Sequence, residues 1–225
     1  MIQRYSRPEM RAIWTDENKL RIWLQIELLA SEALVREGVV PRKDFAKIKA
    51  GCEKWLADLP GLVARQKELE KVLNHDVIAF TTAVAEKIND VASRWFHFGL
   101  TSSDVGDTAY AVQMAQSADL LIRDVKEARQ AIARRAREHK FTPCIGRSHG
   151  IHAEPITFGL KLALMYDEFG RALERLERAR EVAAVGKISG AVGTSAHLSP
   201  RVETFVCRRL GLRPAPIATQ VVQRD

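Results

Sequence analysis

The sequence has few cysteines and no long apolar run. Its 225 residues contain three cysteines, Cys52, Cys144 and Cys207, which lie far apart and form no Cys-x-x-Cys motif. The cysteines therefore indicate neither a disulfide framework nor a zinc knuckle, and a reducing, cytoplasmic compartment is expected. No window reaches the roughly 20 apolar residues that cross a bilayer, and the amino terminus lacks the apolar centre of a signal peptide. We therefore expect a soluble protein without a membrane partner.

Basic residues outnumber acidic ones, but the chain lacks the motifs of nucleic-acid and nucleotide binding. The 35 Lys+Arg and 28 Asp+Glu residues give a formal charge of +7, and such a field attracts anions. No run of lysines is interleaved with aromatics, as in single-strand binders, and the phosphate-loop order Gly-x-x-x-x-Gly-Lys-Ser/Thr is absent. A small anion fits this charge better than DNA or RNA, so no nucleic-acid partner is expected.

Apolar residues recur at helical spacing along the whole chain. Shorter helices are predicted over residues 9–15, 16–37, 42–57, 61–73 and 75–92. A much longer helix is predicted from Ser103 to Glu138, where Gly106 is the one glycine and proline is absent. In a second long helix, over 158–183, apolar residues alternate steps of four and three, as in a coiled-coil seam: Phe158, Leu162, Met165, Phe169, Ala172, Leu176, Ala179 and Ala183.

Two long helices with one narrow apolar stripe each do not enclose a globule. Residues 186–225 are expected to hold too little helix to cover both stripes, so further helices or other subunits must cover them. The sequence therefore predicts an all-α fold, with an amino-terminal helical domain over 1–100 and, over 101–225, long helices of a multi-subunit central helix bundle. A homo-oligomer is the expected state.

The most polar cluster lies between the two long helices. Residues 146–155 read Gly-Arg-Ser-His-Gly-Ile-His-Ala-Glu-Pro, and a glycine-rich turn is predicted there. Histidine exchanges protons near neutral pH, which favours an acid or base role for His149 or His152. The alternative is a solvated helix connection with surface histidines, because loops are commonly polar.

Two further polar clusters stand at predicted helix starts. Thr101-Ser102-Ser103-Asp104 opens the first long helix, where hydroxyls cap the first turn and the positive dipole end attracts anions. Three consecutive hydroxyls exceed what a cap needs, so capping alone and capping with ligand binding both stay open. His75-Asp76 follows Asn74 at another helix start, where Asp76 either contacts a ligand or complements the helix dipole.

Together these residues resemble the fumarase/aspartase superfamily and, within it, the adenylosuccinate lyase family. The resemblance implies a helical fold and β-elimination of fumarate from adenylosuccinate, or from the succinylated aminoimidazole carboxamide ribotide, without a metal or organic cofactor. It also implies a homotetramer whose active sites are shared between three subunits. The blocks that carry it, in the family's order, are Arg4-Tyr5-Ser6, Asn74-His75-Asp76-Val77, His97 to Val105, Gly146 to Lys161, Lys187 to Thr194, and Thr219-Gln220-Val221-Val222.

The resemblance also assigns roles to single residues. It implies that His149 is the general acid and that His75 assists it. Ser148 stands where a threonine is usual, and Asn74 where an arginine is frequent. The residues implied to contact the substrate are Arg4 and Tyr5 on the nucleotide, Thr101 and Ser102 on the succinyl carboxylates, and Asn74, His75, Asp76, Ser148 and Gln220.

One family element is missing from the sequence. The family's general base is a serine in a Ser-Ser-x-Met-Pro-x-Lys-x-Asn-Pro loop, whereas no methionine follows Met165 here and Met-Pro does not occur. We therefore expect an amino-terminal portion of the fold, with residues 101–225 an incomplete bundle domain and the chain inactive alone. The alternatives are a sister lyase acting on argininosuccinate or aspartate, a non-catalytic helical assembly module, and a nucleic-acid binder.

Overall fold

The computed structural model describes residues 2–223, and its regular structure is mainly helical, so the predicted all-α class is confirmed. The long helices begin and end within one residue of the predicted positions. No helix among the described residues is both long and apolar enough to cross a membrane. The helices are α1 (Pro8–Ile13), α2 (Asp16–Arg36), α3 (Arg42–Leu56), α4 (Leu59–Leu73), α5 (Asp76–Ile88), α6 (Ser102–Glu138), α7 (Phe158–Ala183) and α8 (Pro200–Arg209), with short 3-10 turns at Gln3–Tyr5 and Val91–Trp95.

Within residues 2–223, four short strands accompany the helices. Strands β1 (Pro143–Ser148) and β2 (Ile151–Thr157) form an antiparallel hairpin between α6 and α7, whereas β3 (Val185–Gly186) and β4 (Arg213–Pro214) form a two-residue parallel pair. The sequence between the long helices predicts a turn and no strands. Most residues of β1 and β2 are exposed, so no alternation of buried and polar residues marks them as strands in the sequence.

Helix α8 was not among the helices predicted from the sequence. Ser199 caps α8 by accepting a hydrogen bond from the backbone N–H of Arg201, and Pro200 occupies the first helical turn. Val202, Val206 and Cys207 form its buried face. At ten residues, α8 is too short to show a periodicity that separates it from a loop.

The chain divides into two compact units. The first contains residues 2–115 and 183–223, and the second contains residues 116–182. The domain boundary predicted at residue 100 stays a prediction.

Helix α2 forms the centre of the first unit. Leu20 and Leu24 are fully buried, and Trp23 packs edge-on against Phe80 of α5 with ring centroids 5.3 Å apart. Helix α3 approaches α5 closely because Gly51 has no side chain that would overlap Ile88. Helices α3, α4 and α8 also contact α2, so neighbours cover more than one of its faces.

A polar pair, buried at Glu27 and half-buried at His97, adjoins this apolar core. Both carboxylate oxygens of Glu27 bind His97: Oε1 lies 2.6 Å from Nδ1, and Oε2 accepts the backbone N–H at 3.1 Å. Glu27 is fully buried, and His97 has a left-handed φ of 64°. Burial favours the neutral ring, but the hydrogen bond and charge of Glu27, with the charge of Asp104, outweigh it and raise the pKa of His97.

In the second unit, the carboxyl-terminal part of α6 packs antiparallel to α7. Asp119 binds Arg180 through two hydrogen bonds of 2.5 and 3.0 Å, and Lys126 lies 3.2 Å from Glu177. At the amino-terminal end of α7, Gly159 lies so close to the last turn of α6 that any side chain at this position would overlap its backbone. The β1–β2 hairpin joins the two helices at that end.

Helix α7 leaves much apolar surface uncovered. Within α7, all of which the structure describes, Gly159 is the one buried residue. Leu160 and Leu164 are 60% and 67% exposed, although they carry large aliphatic side chains. Both leucines lie outside the predicted stripe, most of whose members are half-buried, so α7 carries a second apolar face that the second unit leaves uncovered.

The Glu27–His97 pair predicts a pH-dependent stability. The pKa of His97 is raised above 6.5 in the folded chain. The stabilisation that the Glu27–His97 pair gives to the folded state is therefore complete below pH 6.5 and is lost as pH rises through the folded pKa. We expect the advantage of the wild type over Glu27→Gln/His97→Gln, in unfolding free energy from urea titrations, to shrink as pH rises above about 6.5. A difference that stays constant or grows with pH would contradict this account.

Candidate active site

The predicted site residues fall into two groups, one in each unit. The first unit holds Arg4, Tyr5, Asn74, His75, Asp76, Thr101, Ser102 and Gln220. The second unit holds Ser148 and His149.

His75 and Ser102 meet, although 27 positions separate them. His75 is the N-cap of α5, where its Nδ1 accepts the backbone N–H of Ile78 at 3.3 Å. Its Nε2 lies 3.3 Å from Ser102 Oγ. Because Nδ1 uses its lone pair as an acceptor, the neutral ring carries its proton on Nε2 and donates it to Ser102. The contact with Ser102 joins two predicted site residues.

The neighbours of His75 have local structural roles. Asn74 ends α4 in the left-handed conformation, with φ 52°, which asparagine tolerates better than most residues. Asp76 accepts the backbone N–H of Val77 at 2.8 Å, and its side chain is half exposed. The cap accounts for Asn74 without a ligand, whereas the exposed oxygens of Asp76 remain available to one.

Ser102 stands in the first turn of α6, at an end built to attract anions. The backbone N–H of Thr101 donates to Asp104 Oδ2, and the backbone N–H of Asp104 donates to the Thr101 carbonyl, both at 2.9 Å. The bond from Thr101 N–H to the Asp104 carboxylate is one half of a capping box, with aspartate in the usual place of glutamate, whereas the Asp104 N–H is satisfied by a backbone carbonyl. Thr101 and Ser102 are half-buried at the positive end of a 37-residue helix.

Asp104 is also one half of a buried ion pair that the sequence analysis missed. Lys187 Nζ lies 2.5 Å from Asp104 Oδ1, and both side chains are fully buried. Oδ1 also accepts the backbone N–H of Ser189, and Oδ2 that of Gly190, both at 3.1 Å. With Thr101, four donors surround this carboxylate, which compensates for its removal from water.

The ion pair anchors the segment from Lys187 to Thr194 against α6. Thr108 Oγ1 donates to the carbonyl of Lys187 at 2.9 Å and accepts its backbone N–H at 3.0 Å. Gly190 adopts φ 81°, which glycine permits without strain. Among the described residues, Ser189 Oγ is the buried side-chain atom that has no hydrogen-bond partner. The segment is thus held in place by specific hydrogen bonds.

Gln220 lies in a segment that packs on the same structure. Gly193 leaves room for the carbonyl oxygen of Ala218, which any side chain at that position would overlap. The backbone N–H of Val222 donates to Asp107 Oδ2 of α6 at 3.3 Å. Gln220, between these two contacts, is exposed. The structure therefore brings together three of the blocks that carry the family resemblance: His97 to Val105, Lys187 to Thr194, and Thr219 to Val222.

Arg4 and Tyr5 stand apart from this group. Both are exposed, and the guanidinium of Arg4 lies 4.7 Å from the centroid of the Tyr5 ring. Within residues 2–223, no hydrogen bond joins either side chain to His75, Thr101 or Ser102. Their proposed contact with a nucleotide stays a prediction.

His149 occupies the tip of the β1–β2 hairpin. Ser148 pairs with Ile151, so His149 and Gly150 form a two-residue turn in which both have positive φ, 51° and 79°. This is the backbone of a type I′ turn, for which glycine is favoured and histidine is one of the tolerated residues. His149 and Ser148 are both exposed. The hairpin therefore presents an imidazole on a defined backbone.

The pairing of Asp104 with Lys187 left a weak signal in the sequence. Lys187 is a single charge in a run of small and apolar residues from Ala183 to Val192, and isolated charges in apolar segments are buried only when paired. Its partner lies 83 positions away, and only the topology brings the two together.

Comparison with known proteins agrees with these features. A family model described as lyase matches residues 3–225. Over 225 residues the chain is 50% identical to the adenylosuccinate lyase of Bacillus subtilis (strain 168), and 49% identical to that of Streptococcus mutans, covering all of this chain and 50% of each relative. The chain thus spans about half the length of the curated relatives it matches.

Solved structures share the fold. The chain superposes on fumarate lyase from Mesorhizobium sp. BNC1 with a TM-score of 0.84 and 28% identity, over 93% of this chain and 49% of that one. It superposes on 3-carboxy-cis,cis-muconate lactonizing enzyme from Pseudomonas putida with a TM-score of 0.83 and 28% identity, over 95% of this chain and 49% of that one. The resemblance found in the sequence is confirmed, and the chain belongs to the lyase family.

Proposed function

We propose that this chain is part of an adenylosuccinate lyase, a carbon–nitrogen lyase that releases fumarate from adenylosuccinate to leave AMP. It also cleaves the succinylated aminoimidazole carboxamide ribotide in purine synthesis. The similarity to adenylosuccinate lyases along the whole chain supports the choice of substrate. The observation that carries the chemistry is the hydrogen bond between His75 Nε2 and Ser102 Oγ, because it brings a titratable ring to an anion-attracting helix end.

The elimination needs three kinds of group, and this chain offers two. Thr101 and Ser102 bind the carboxylates of the succinyl moiety and stabilise the negative charge that develops next to them. His149 protonates the leaving nitrogen, and His75 assists it. The base that removes the carbon-bound proton is assigned to none of these residues. No step requires a metal or an organic cofactor.

The remaining predicted residues complete the substrate site. Arg4, Tyr5 and Gln220 contact the nucleotide part, and Asp76 offers exposed oxygens to its hydroxyl groups. Ser148 precedes the acid on the hairpin and contributes its hydroxyl to the substrate. Asn74 has a sufficient structural reason as a helix cap, and its substrate contact is the weakest of these assignments.

We propose that the enzyme is a cytoplasmic homotetramer whose subunits share active sites. The exposure of His149 on its turn supports this, because a general acid needs surrounding surfaces that exclude water and orient the substrate. The uncovered aliphatic side chains of α7 support it as well, since large exposed apolar patches mark interaction surfaces.

A substrate panel tests the proposed reaction. The complete product of the gene that encodes this chain is mixed separately with adenylosuccinate, argininosuccinate and aspartate, and fumarate release is followed by absorbance. We expect fumarate from adenylosuccinate alone. Release only from argininosuccinate or aspartate would replace the proposal with a sister lyase, and release from none would favour a non-catalytic helical module.

Substitution of the hairpin histidines tests the general acid. In the complete gene product, His149→Gln is expected to lower kcat for adenylosuccinate roughly hundredfold to ten-thousandfold, because it removes the proton donor. The matched control is His152→Gln, which lies on the same hairpin and is expected to keep kcat within about threefold. A full rate in His149→Gln, or an equal loss in both variants, would contradict the assignment.

The exposed face of α7 predicts the effect of charged residues on assembly. Leu160→Glu/Leu164→Glu introduces two carboxylates into the proposed interface, and we expect the tetramer seen by light scattering to give way to smaller species. Val91→Glu is the control, because Val91 is 68% exposed in the first unit. Equal assembly of both variants and the wild type would show that this face of α7 is not an interface.

A further inference from the structure

The amino-terminal end of α6 poses an electrostatic problem for the proposed substrate. Thr101 and Ser102 are proposed to bind carboxylates there, yet Asp104 already places a carboxylate in the same helical turn. A buried negative charge so close to the site would repel an incoming anion and cancel much of the attraction of the helix dipole.

Lys187 resolves this conflict. Its ammonium lies 2.5 Å from Asp104 Oδ1, and neither side chain is exposed to solvent. The pair carries no net charge, and solvent ions screen buried charges poorly, so the neutralisation must come from within the fold. The ammonium also donates to the carbonyl of Gly190 at 2.9 Å, which fixes its position.

The same pair fixes the geometry of the carboxylate-binding turn. One oxygen of Asp104 accepts the N–H of Thr101, and the carboxylate is held in turn by Lys187 and by the backbone of Ser189 and Gly190. Ser102 follows Thr101 directly and meets His75. A displaced Asp104 would therefore release the backbone on which both hydroxyls depend.

We propose that Lys187 is a positioning residue of the lyase: through Asp104 it holds Thr101 and Ser102 in place and keeps this helix end attractive to dicarboxylates. The proposal rests on the proposed function. Lys187 touches no substrate, and the ligand class affected is the dicarboxylate part, meaning the succinyl group of the substrate and the product fumarate.

The test uses Lys187→Met in the complete gene product, which keeps an unbranched side chain and removes the charge. We expect KM for adenylosuccinate and the inhibition constant of fumarate to rise about tenfold, the size of a charge effect at a partly buried helix end. Inhibition by AMP, which has no succinyl carboxylates, is expected to change less than about threefold. A variant that lost only packing would weaken fumarate and AMP alike.

Two further variants keep the test decisive. Asp104→Asn/Lys187→Met removes both charges together and is expected to bind fumarate more tightly than Lys187→Met. Lys49→Met, which removes an exposed ammonium in the first unit, is the control and is expected to leave fumarate affinity unchanged.

The outcomes separate the two proposals. Equal weakening of fumarate and AMP in the folded variants, or unchanged fumarate affinity in Lys187→Met, would overturn the role of Lys187 while the wild type remains an active lyase. If Lys187→Met does not fold, the double variant is compared with the wild type, and a loss of fumarate affinity of about tenfold or more despite the removal of both charges would overturn the role of Lys187. A wild-type protein that releases no fumarate from adenylosuccinate would overturn both proposals together.

Discussion

The contact between Asp104 and Lys187 is the interaction on which the rest of the candidate site depends. Both side chains are fully buried, and their contact joins the first turn of α6 to the segment that follows α7. Taking two charges out of water is costly, and the surrounding N–H groups and the carbonyl of Gly190 offset that cost. Loss of one partner would leave an uncompensated buried charge, which costs about 3–5 kcal/mol.

A second buried pair supports the same region from the other side. Glu27 of α2 holds His97 through both ring and backbone, four residues before Thr101. Between them, Gly99 adopts φ 75° and packs against Leu198, where a side chain would be crowded. The short connection into α6 is therefore fixed at both ends by carboxylates, which explains how a loop residue such as Thr101 keeps a defined position.

The helices were predictable because their signals are local, whereas the contacts that build the site were not. Periodicity and caps placed α2, α6 and α7 within a residue or two. The β1–β2 hairpin escaped prediction because its strands are exposed and pair only with each other. The Asp104–Lys187 pair joins positions 83 apart, and the His75–Ser102 contact joins positions 27 apart. No spacing rule relates residues so far apart in the sequence. The assignment of His75 and Ser102 to one site therefore came from the family resemblance and not from their spacing.

The central claim is that a neutralised helix end receives the carboxylates of the substrate. The most direct measurement is a crystal structure of the complete gene product with fumarate bound. The account predicts one fumarate carboxylate within about 3 Å of Thr101 and Ser102, with the ammonium of Lys187 still on Asp104. Fumarate bound away from this end of α6, or Lys187 turned from Asp104 onto the ligand, would contradict it.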